Sequence, residues 1–167
     1  TGSNGKTIVK EWLYQLLGND YNIVRSPRSY NSQVGVPLSV WEMSDKNDLA
    51  IFEAGVSQPD EMMRLEQIIK PTIGIFTELG EAHQENFTSM QQKCMEKLAL
   101  FSNSDMFVYE EDNRVINQSV DLMVLSQKSY GWSKKNHDAP LFIQKIEKGE
   151  QSTNIHYSFL QFHYSAS

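Results

Sequence analysis

Apolar residues fall into two kinds of spacing along this 167-residue chain. Over 7–17, Ile8, Trp12 and Leu16 recur at every fourth position, with Val9 and Leu13 widening the stripe, which is the period of an amphipathic helix. Gly18, Asn19 and Asp20 then form a stop signal. Residues 60–69 read as a second helix, preceded by Pro59 and closed by Lys70 and Pro71. Residues 89–101 read as a third, with Met90, Cys94, Leu98 and Phe101 on one stripe. A shorter helix over 36–43 carries Pro37 in its first turn, where a missing N–H costs nothing. Between these segments lie short continuous apolar runs. Those at 49–52 and 72–77 each end in an acidic residue close to a glycine, and they read as buried strands. Residues 21–24, 106–109 and 122–125 are further short strands, and 26–35 is a polar loop.

Strand alternating with helix predicts an α/β fold, a mostly parallel sheet flanked by helices. After Tyr130 the pattern changes. Residues 141–146 and 155–162 alternate apolar with polar around Lys148, Gly149, Glu150, Gln151 and Ser152, so a C-terminal antiparallel hairpin is expected on the main sheet. Trp12, Trp41 and Trp132 are expected as packing residues.

Composition narrows the class. A formal net charge of −6 argues against a nucleic-acid surface, which needs clustered Lys and Arg. It leaves nucleotide binding open, since that is local and often made by backbone N–H groups. Cys94 is the single cysteine, so no internal disulfide forms; this fits a reducing, cytoplasmic setting. No apolar run approaches the ~20 residues that span a bilayer, and the start is not signal-like. The chain starts at Thr1, inside a motif, and reads as one domain over 1–167 taken from a longer protein, with flanking N- and C-terminal domains absent.

That motif is Gly2, Ser3, Asn4, Gly5, Lys6 and Thr7, leading straight into the first helix. Glycines let backbone N–H groups close around phosphate oxygens, and a helix N-terminus adds a favourable dipole. Lys6 is placed to reach the β/γ-phosphates of a nucleotide, and the Thr7 hydroxyl to ligate Mg²⁺. The bland alternative is a glycine-rich turn with a chance Lys-Thr pair. The strict Walker pattern also wants a glycine five residues before Gly5, ahead of Thr1.

This loop resembles the G-[TS]-[NS]-G-K-[TS] phosphate loop of the Mur ligases and their folylpolyglutamate synthetase relatives, a variant without the leading glycine. Later segments agree in order and spacing. Asn31, Ser32, Gln33, Val34, Gly35, Val36, Pro37 and Leu38 are similar to a stretch of the MurF branch. Ile51, Phe52, Glu53, Ala54 and Gly55 resemble the strand that ends in the family's Mg²⁺-binding Glu, and Gly80, Glu81, Ala82 and His83 the segment with its metal-binding His. Lys97, Leu98, Ala99, Leu100 and Phe101 resemble the site of its carbamylated lysine. The resemblance covers about 1–112, and its 53–62 wording is closest to the Bacteroidota kind, in which the ligase is sometimes fused to an alanine racemase.

What the resemblance implies is an ATP-dependent amide ligase of peptidoglycan precursor synthesis with a P-loop-type sheet. It would join D-alanyl-D-alanine to a UDP-N-acetylmuramoyl peptide through an acyl phosphate. ATP and Mg²⁺ would be its cofactors. Gly2, Ser3, Asn4, Gly5, Lys6 and Thr7 would hold the nucleotide; Thr7, Glu53, His83 and a carbamylated Lys97 the metal; Asn31 and Ser32 the muramoyl substrate. Lys6, His83 and Lys97 would be the catalytic residues. Taken alone, these residues say less. A strand-end Glu is usually solvated, a lone His is seldom a Mg²⁺ ligand, a helical Lys is usually solvated, and Asn and Ser are ordinary loop residues. Lys93, one turn before Lys97, is the rival for the modified lysine, and Glu78 and Glu81 are expected near the site or in solvent. Two alternatives stay open: another Mur ligase or a folylpolyglutamate synthetase relative, or a nucleotide-binding fragment with no turnover of its own.

Overall fold

Short parallel strands joined by helices build the first four-fifths of the chain. The structure, a computed structural model, describes residues 1–167 apart from the Gln127 side chain. Helix α1 (Lys6–Leu17) is followed by β1 (Ile23–Arg25), α2 (Gly35–Trp41) and β2 (Leu49–Ile51). Then come α3 (Met62–Ile69), β3 (Ile73–Ile75), α4 (Met90–Leu98), β4 (Met106–Glu110), α5 (Arg114–Leu122) and β5 (Ser129–Ser133). Strands β6 (Leu141–Lys148), β7 (Thr153–Phe159) and β8 (Phe162–Ala166) close the chain. β1 and β2 pair in parallel as a sheet of their own, and the second sheet runs β3-β4-β5-β6-β7-β8, parallel as far as β6 and antiparallel beyond it. The expected α/β architecture with a C-terminal antiparallel extension is present.

The core lies between the parallel strands and α3, α4 and α5. Cys94 and Leu98 on α4, Leu65 on α3 and Ile116 and Val120 on α5 are fully buried. Phe107 on β4 stacks on Phe101 at 4.9 Å between centroids. Gly74 is required by this packing, because a Cβ there would stand 2.3 Å from the Phe101 ring. The expected stripe of 89–101 therefore faces inward as read, with a 3-10 turn over Ala99–Phe101 after the helix proper.

Helix α1 is rotated from the expected orientation. Ile8, Trp12 and Leu16 are 51%, 56% and 74% exposed, while Lys10 is buried and Leu13 and Leu17 are partly covered. The inner stripe is Lys6, Lys10, Leu13 and Leu17, at i, i+4, i+7 and i+11. Anchoring the phosphate loop sets this rotation: Thr1 N–H donates to Ile75 O at 2.8 Å, Thr77 N–H to Thr1 O at 2.8 Å, and Ser3 N–H to Glu78 O at 2.6 Å. Trp41 is 88% exposed as well, so neither it nor Trp12 serves as a packing residue.

Three strand expectations also change. The runs at 49–52 and 72–77, expected as buried, are strands only partly covered: Ala50 is exposed and Ile73 is 62% exposed. Residues 122–125 form no strand: Leu122 closes α5, and Val124 takes φ 57 in the turn that follows. The Asn113 side chain accepts from the N–H groups of Val115 and Ile116, and this N-cap with Ile116 and Val120 on one face outweighs a four-residue apolar run. The single strand expected over 155–162 is two, β7 and β8, turned at Leu160 (φ 47) and Gln161 (φ 73). Two positive φ values in a two-residue loop match the twist of a hairpin, so the turn forms without the usual glycine.

Candidate functional site

The C-terminal ends of β1, β2 and β3 converge on the start of α1. Ligands of open α/β sheets bind at that edge, because strand-to-helix loops gather there with helix N-termini pointing at them. Gly2 takes φ 146, and a Cβ on it would fall 2.1 Å from Thr77 Oγ1, so only glycine lets the loop lie this close to β3. Gly5 is the left-handed N-cap of α1 (φ 80) and brings no capping side chain. The first N–H groups of the helix are thus free to bind an anion. Lys6 Nζ donates to Gly2 O at 3.1 Å and Ser3 O at 3.2 Å, folding back over its own loop.

Glu53, one residue past Phe52 at the end of β2, is buried with both carboxylate oxygens engaged. Thr7 Oγ1 donates to Oε2 at 2.8 Å, Asn31 Nδ2 donates to Oε1 at 2.6 Å, and the Glu53 N–H donates to Ser26 Oγ at 3.0 Å. The Gly55 N–H donates to Asn31 O at 2.7 Å, so Asn31 is held from both ends. Phosphate loop, strand end and the 26–31 loop form one connected network.

Next to it lies a cavity of about 350 Å³. Gly2, Ser3 and Lys6 line one side, Asn31 and Ser32 another, and His83 and Lys97 are also in its wall. Thr7 and Glu53 stand behind this wall and reach it through Asn31. Asn4 and Gly5 sit on the outer turn of the loop, where Asn4 O accepts from Thr77 Oγ1 at 2.5 Å. His83 is exposed and left-handed (φ 62) ahead of a 3-10 turn, Gln84–Asn86. Glu78 and Glu81 are exposed.

Neither Lys93 nor Lys97 is a solvated helical lysine. Lys97 is 3% exposed, with Nζ 3.4 Å from Gly2 O, and Lys93 is fully buried, with Nζ donating to Gly80 O at 2.5 Å. Burial first, then the cations of Lys6 and Lys93, pushes the Lys97 ammonium down to about 8. Burial also lowers Lys93, against the opposing pull of Glu85 and Glu81. Gly80 O accepts from Ser3 Oγ at 3.1 Å as well, which ties the 80–83 loop to the phosphate loop.

Thr7 and Glu53 supply oxygen donors, the set a hard divalent cation such as Mg²⁺ takes. Among the described residues no three His, Cys, Asp or Glu side chains stand together as a ready metal cage. Lys97 would add acidic oxygens to the cavity wall as a carbamate. The residues present fit a Mg²⁺ ion that is shared with a nucleotide rather than one bound by protein alone. Lys10 and Ser26 were not singled out from the sequence, and Gly80 only as the start of the segment that carries His83. Lys10 had a signal, a charge at the i+4 position of the helix face that Lys6 starts; Ser26 and Gly80 act through contacts that sequence spacing does not encode.

A family model described as the Mur ligase middle domain matches residues 1–166. The chain belongs to the Mur ligase family. The match runs through the C-terminal strands, beyond the reach of the sequence motifs. A UDP-N-acetylmuramoyl-tripeptide–D-alanyl-D-alanine ligase from Borreliella burgdorferi is 40% identical over 114 residues, covering 68% of this Mur ligase chain and 25% of the relative. The enzyme of that name from Rickettsia prowazekii is 32% identical over 158 residues, covering 90% of this chain and 35% of its own. The crystal structure of a MurF ligase from Thermotoga maritima in complex with ADP superposes with a TM-score of 0.83 at 22% identity, over 98% of this chain and 38% of that one. The Mur ligase chain described here thus spans about a quarter to a third of the length of the curated relatives it matches. Among the described residues no helix is long and apolar enough to cross a membrane.

Proposed function

We propose that residues 1–167 form the ATP-binding middle domain of a MurF-type ligase, which joins D-alanyl-D-alanine to a UDP-N-acetylmuramoyl peptide at the expense of ATP. The observation that carries this reading is the phosphate loop of Gly2 to Thr7 at an uncapped helix start, hydrogen-bonded through Thr7 to buried Glu53 and opening on a cavity that Lys6, Asn31 and Lys97 share. The names of the relatives support the substrate pair, and the ADP bound to the Thermotoga structure supports a nucleotide at this loop.

The chemistry asked of the site is positioning and charge neutralisation. The free N–H groups at the start of α1 and the Lys6 ammonium bind the phosphates. Asn31 and Ser32 orient the muramoyl peptide so that its terminal carboxylate lies in line with the γ-phosphate. Carboxylate attack gives an acyl phosphate and ADP. The amine of D-alanyl-D-alanine adds to the acyl carbon, and the tetrahedral adduct expels phosphate to leave the amide. Thr7, Glu53 and His83 would hold Mg²⁺ and a carbamylated Lys97 would ligate a second ion, and such ions would supply charge neutralisation for phosphate and acyl oxygens. The neutral Lys97 amine adds to CO₂ and loses a proton, giving the carbamate, and burial beside Lys6 and Lys93 raises the share of that amine by lowering the ammonium to about 8.

The test is phosphate release from ATP by the chain within its full-length ligase, with UDP-N-acetylmuramoyl tripeptide present and D-alanyl-D-alanine added last. Release that depends on the dipeptide, and that falls at least about a hundredfold in Lys6→Ala and Thr7→Val, is expected. Release indifferent to the dipeptide would sink the ligase reading. A carbamate carbon signal on Lys97 under ¹³C-bicarbonate, absent in Lys97→Arg, checks the modified lysine. This domain alone is expected to turn over negligibly.

A further inference from the structure

Lys10 has no part in the chemistry above. It stands one turn after Lys6 on the same face of α1, and its side chain is 3% exposed. Its Nζ donates to Ser26 O at 2.7 Å and to Arg28 O, and it stands 3.3 Å from Glu11 Oε1 and 3.9 Å from Glu53 Oε2. Glu11 also meets Arg25 at 3.3 Å, and the Arg25 guanidinium lies 3.8 Å above the Tyr14 ring, so Lys10 is braced from the solvent side.

The two carbonyls that Lys10 holds belong to the bend between β1 and Asn31. Arg28 is left-handed there (φ 50), a conformation a non-glycine residue adopts only when its surroundings hold it. Ser26 fixes the other side of the bend, its Oγ accepting from the Glu53 N–H. Three residues past Arg28, Asn31 reaches Glu53 and Gly55, and Ser32 lines the cavity. A lysine ammonium is a compact donor with three hydrogens, able to hold two converging carbonyls that a methyl group would leave unpaired inside the protein.

We propose that Lys10 is a positioning residue for the muramoyl-peptide substrate: from the nucleotide-side helix, it clamps the 26–28 bend and thereby sets where Asn31 and Ser32 stand in the cavity. The inference rests on the ligase reading for the substrate it names. It assigns to a residue four positions after the phosphate-loop lysine an effect on the other substrate.

The experiment uses the full-length ligase with Lys10→Met and Lys10→Arg. Lys10→Met is expected to raise the KM for UDP-N-acetylmuramoyl tripeptide about tenfold, the scale of a lost charged hydrogen bond, and to leave Mg·ADP affinity by titration calorimetry within about threefold. Hydrogen exchange at the Gly55 amide, which donates to Asn31 O, is expected to speed up in the same variant without any substrate present. Lys10→Arg keeps donors for both carbonyls and is expected to recover most of the KM and the Gly55 protection. Equal weakening of tripeptide and Mg·ADP, or unchanged Gly55 exchange in Lys10→Met, would overturn the proposal. If Lys10→Met does not accumulate as folded protein, Lys10→Gln, with one amide donor group left, carries the same split between the two ligands. The ligase reading fails on the unsubstituted enzyme, through dipeptide-independent phosphate release; the Lys10 inference fails only on the variants.

Discussion

The parallel strands β3 to β5 and the C-terminal antiparallel strands sit in one sheet yet are built differently. Around β4 and just past β3, Phe76, Phe101 and Phe107 are at most 1% exposed, and Lys97, Lys93 and Glu53 are buried as well. In β8 every residue is exposed, β6 is exposed from Gln144 onward, and no residue of β7 is buried. The parallel pairs β1–β2, β3–β4 and β4–β5 are each joined by a crossover helix, which covers the sheet and returns the chain to the same edge. Loops therefore accumulate at that edge and can hold chemistry against a rigid background. An antiparallel hairpin needs only a two-residue turn, so it extends the sheet without covering it and brings no loop to the site.

This contrast can be broken or sharpened by four measurements, taken from the largest expected effect to the smallest. Phe107→Ala should cost about 3–5 kcal/mol in urea unfolding, whereas Tyr164→Ala, which loses the stack on Tyr157 at 5.4 Å, should cost about 1 kcal/mol or less. Similar losses would mean that the hairpin shares the core after all. Lys6→Ala should weaken Mg·ATP binding in titration calorimetry about a hundredfold, or about 2.7 kcal/mol, while Tyr164→Ala leaves it unchanged. Gly74→Ala should destabilise by roughly 1–3 kcal/mol, because its methyl meets Phe101 in a packed interior, and a silent substitution there would show that the core yields.

The smallest effect concerns the seam between the two regions. Asp112, after β4, accepts from Ser133 Oγ at 2.6 Å and from the Lys134 N–H at 2.8 Å at the end of β5. Burial alone would raise its carboxyl, but those bonds and the nearby Lys135 and Lys134 charges win and hold it below its ordinary value of 3.8. A carboxyl depressed in the fold adds stability above the unfolded value, and that stability is lost as pH falls through the lower folded value. Asp112→Asn should therefore lower Tm by roughly 2–4 °C at neutral pH, and the gap from the unsubstituted protein should close in acid. A gap that persists undiminished in acid would assign the effect to packing.

The strand-and-helix alternation, the buried face of α4 and the phosphate loop were legible from the residues in order. The runs at 49–52 and 72–77 are legible as strands because they are continuous and apolar, although Ala50 and Ile73 stay exposed, and the loop is legible because glycines, Lys6 and Thr7 must stand next to one another. Local periodicity was not enough where an external anchor intervened. The stripe of Ile8, Trp12 and Leu16 is a sound helical period, but the docking of Thr1 and Ser3 on β3 turned the other face inward. At 122–125 the helix capped at Asn113 ends at Leu122 and a turn follows, where the apolar run looked like a strand. Lys97 and Lys93 read as surface lysines because nothing in a helical period tells a solvated lysine from one whose ammonium is pinned to a distant carbonyl.

By itself, then, the sequence determined the class of fold, the anion-binding helix start and the family whose motifs recur at Glu53, His83 and Lys97. These are properties of neighbours along the chain and of patterns of burial. Only the tertiary structure decided that Glu53 is shared between Thr7 and Asn31, that Lys10 holds a bend sixteen residues away at Ser26 O, and that Lys97 lies buried against Gly2. Those facts arise from the convergence of strand ends at one edge of the sheet. Segments far apart in sequence meet there within hydrogen-bonding distance, and no local pattern records which of them will meet.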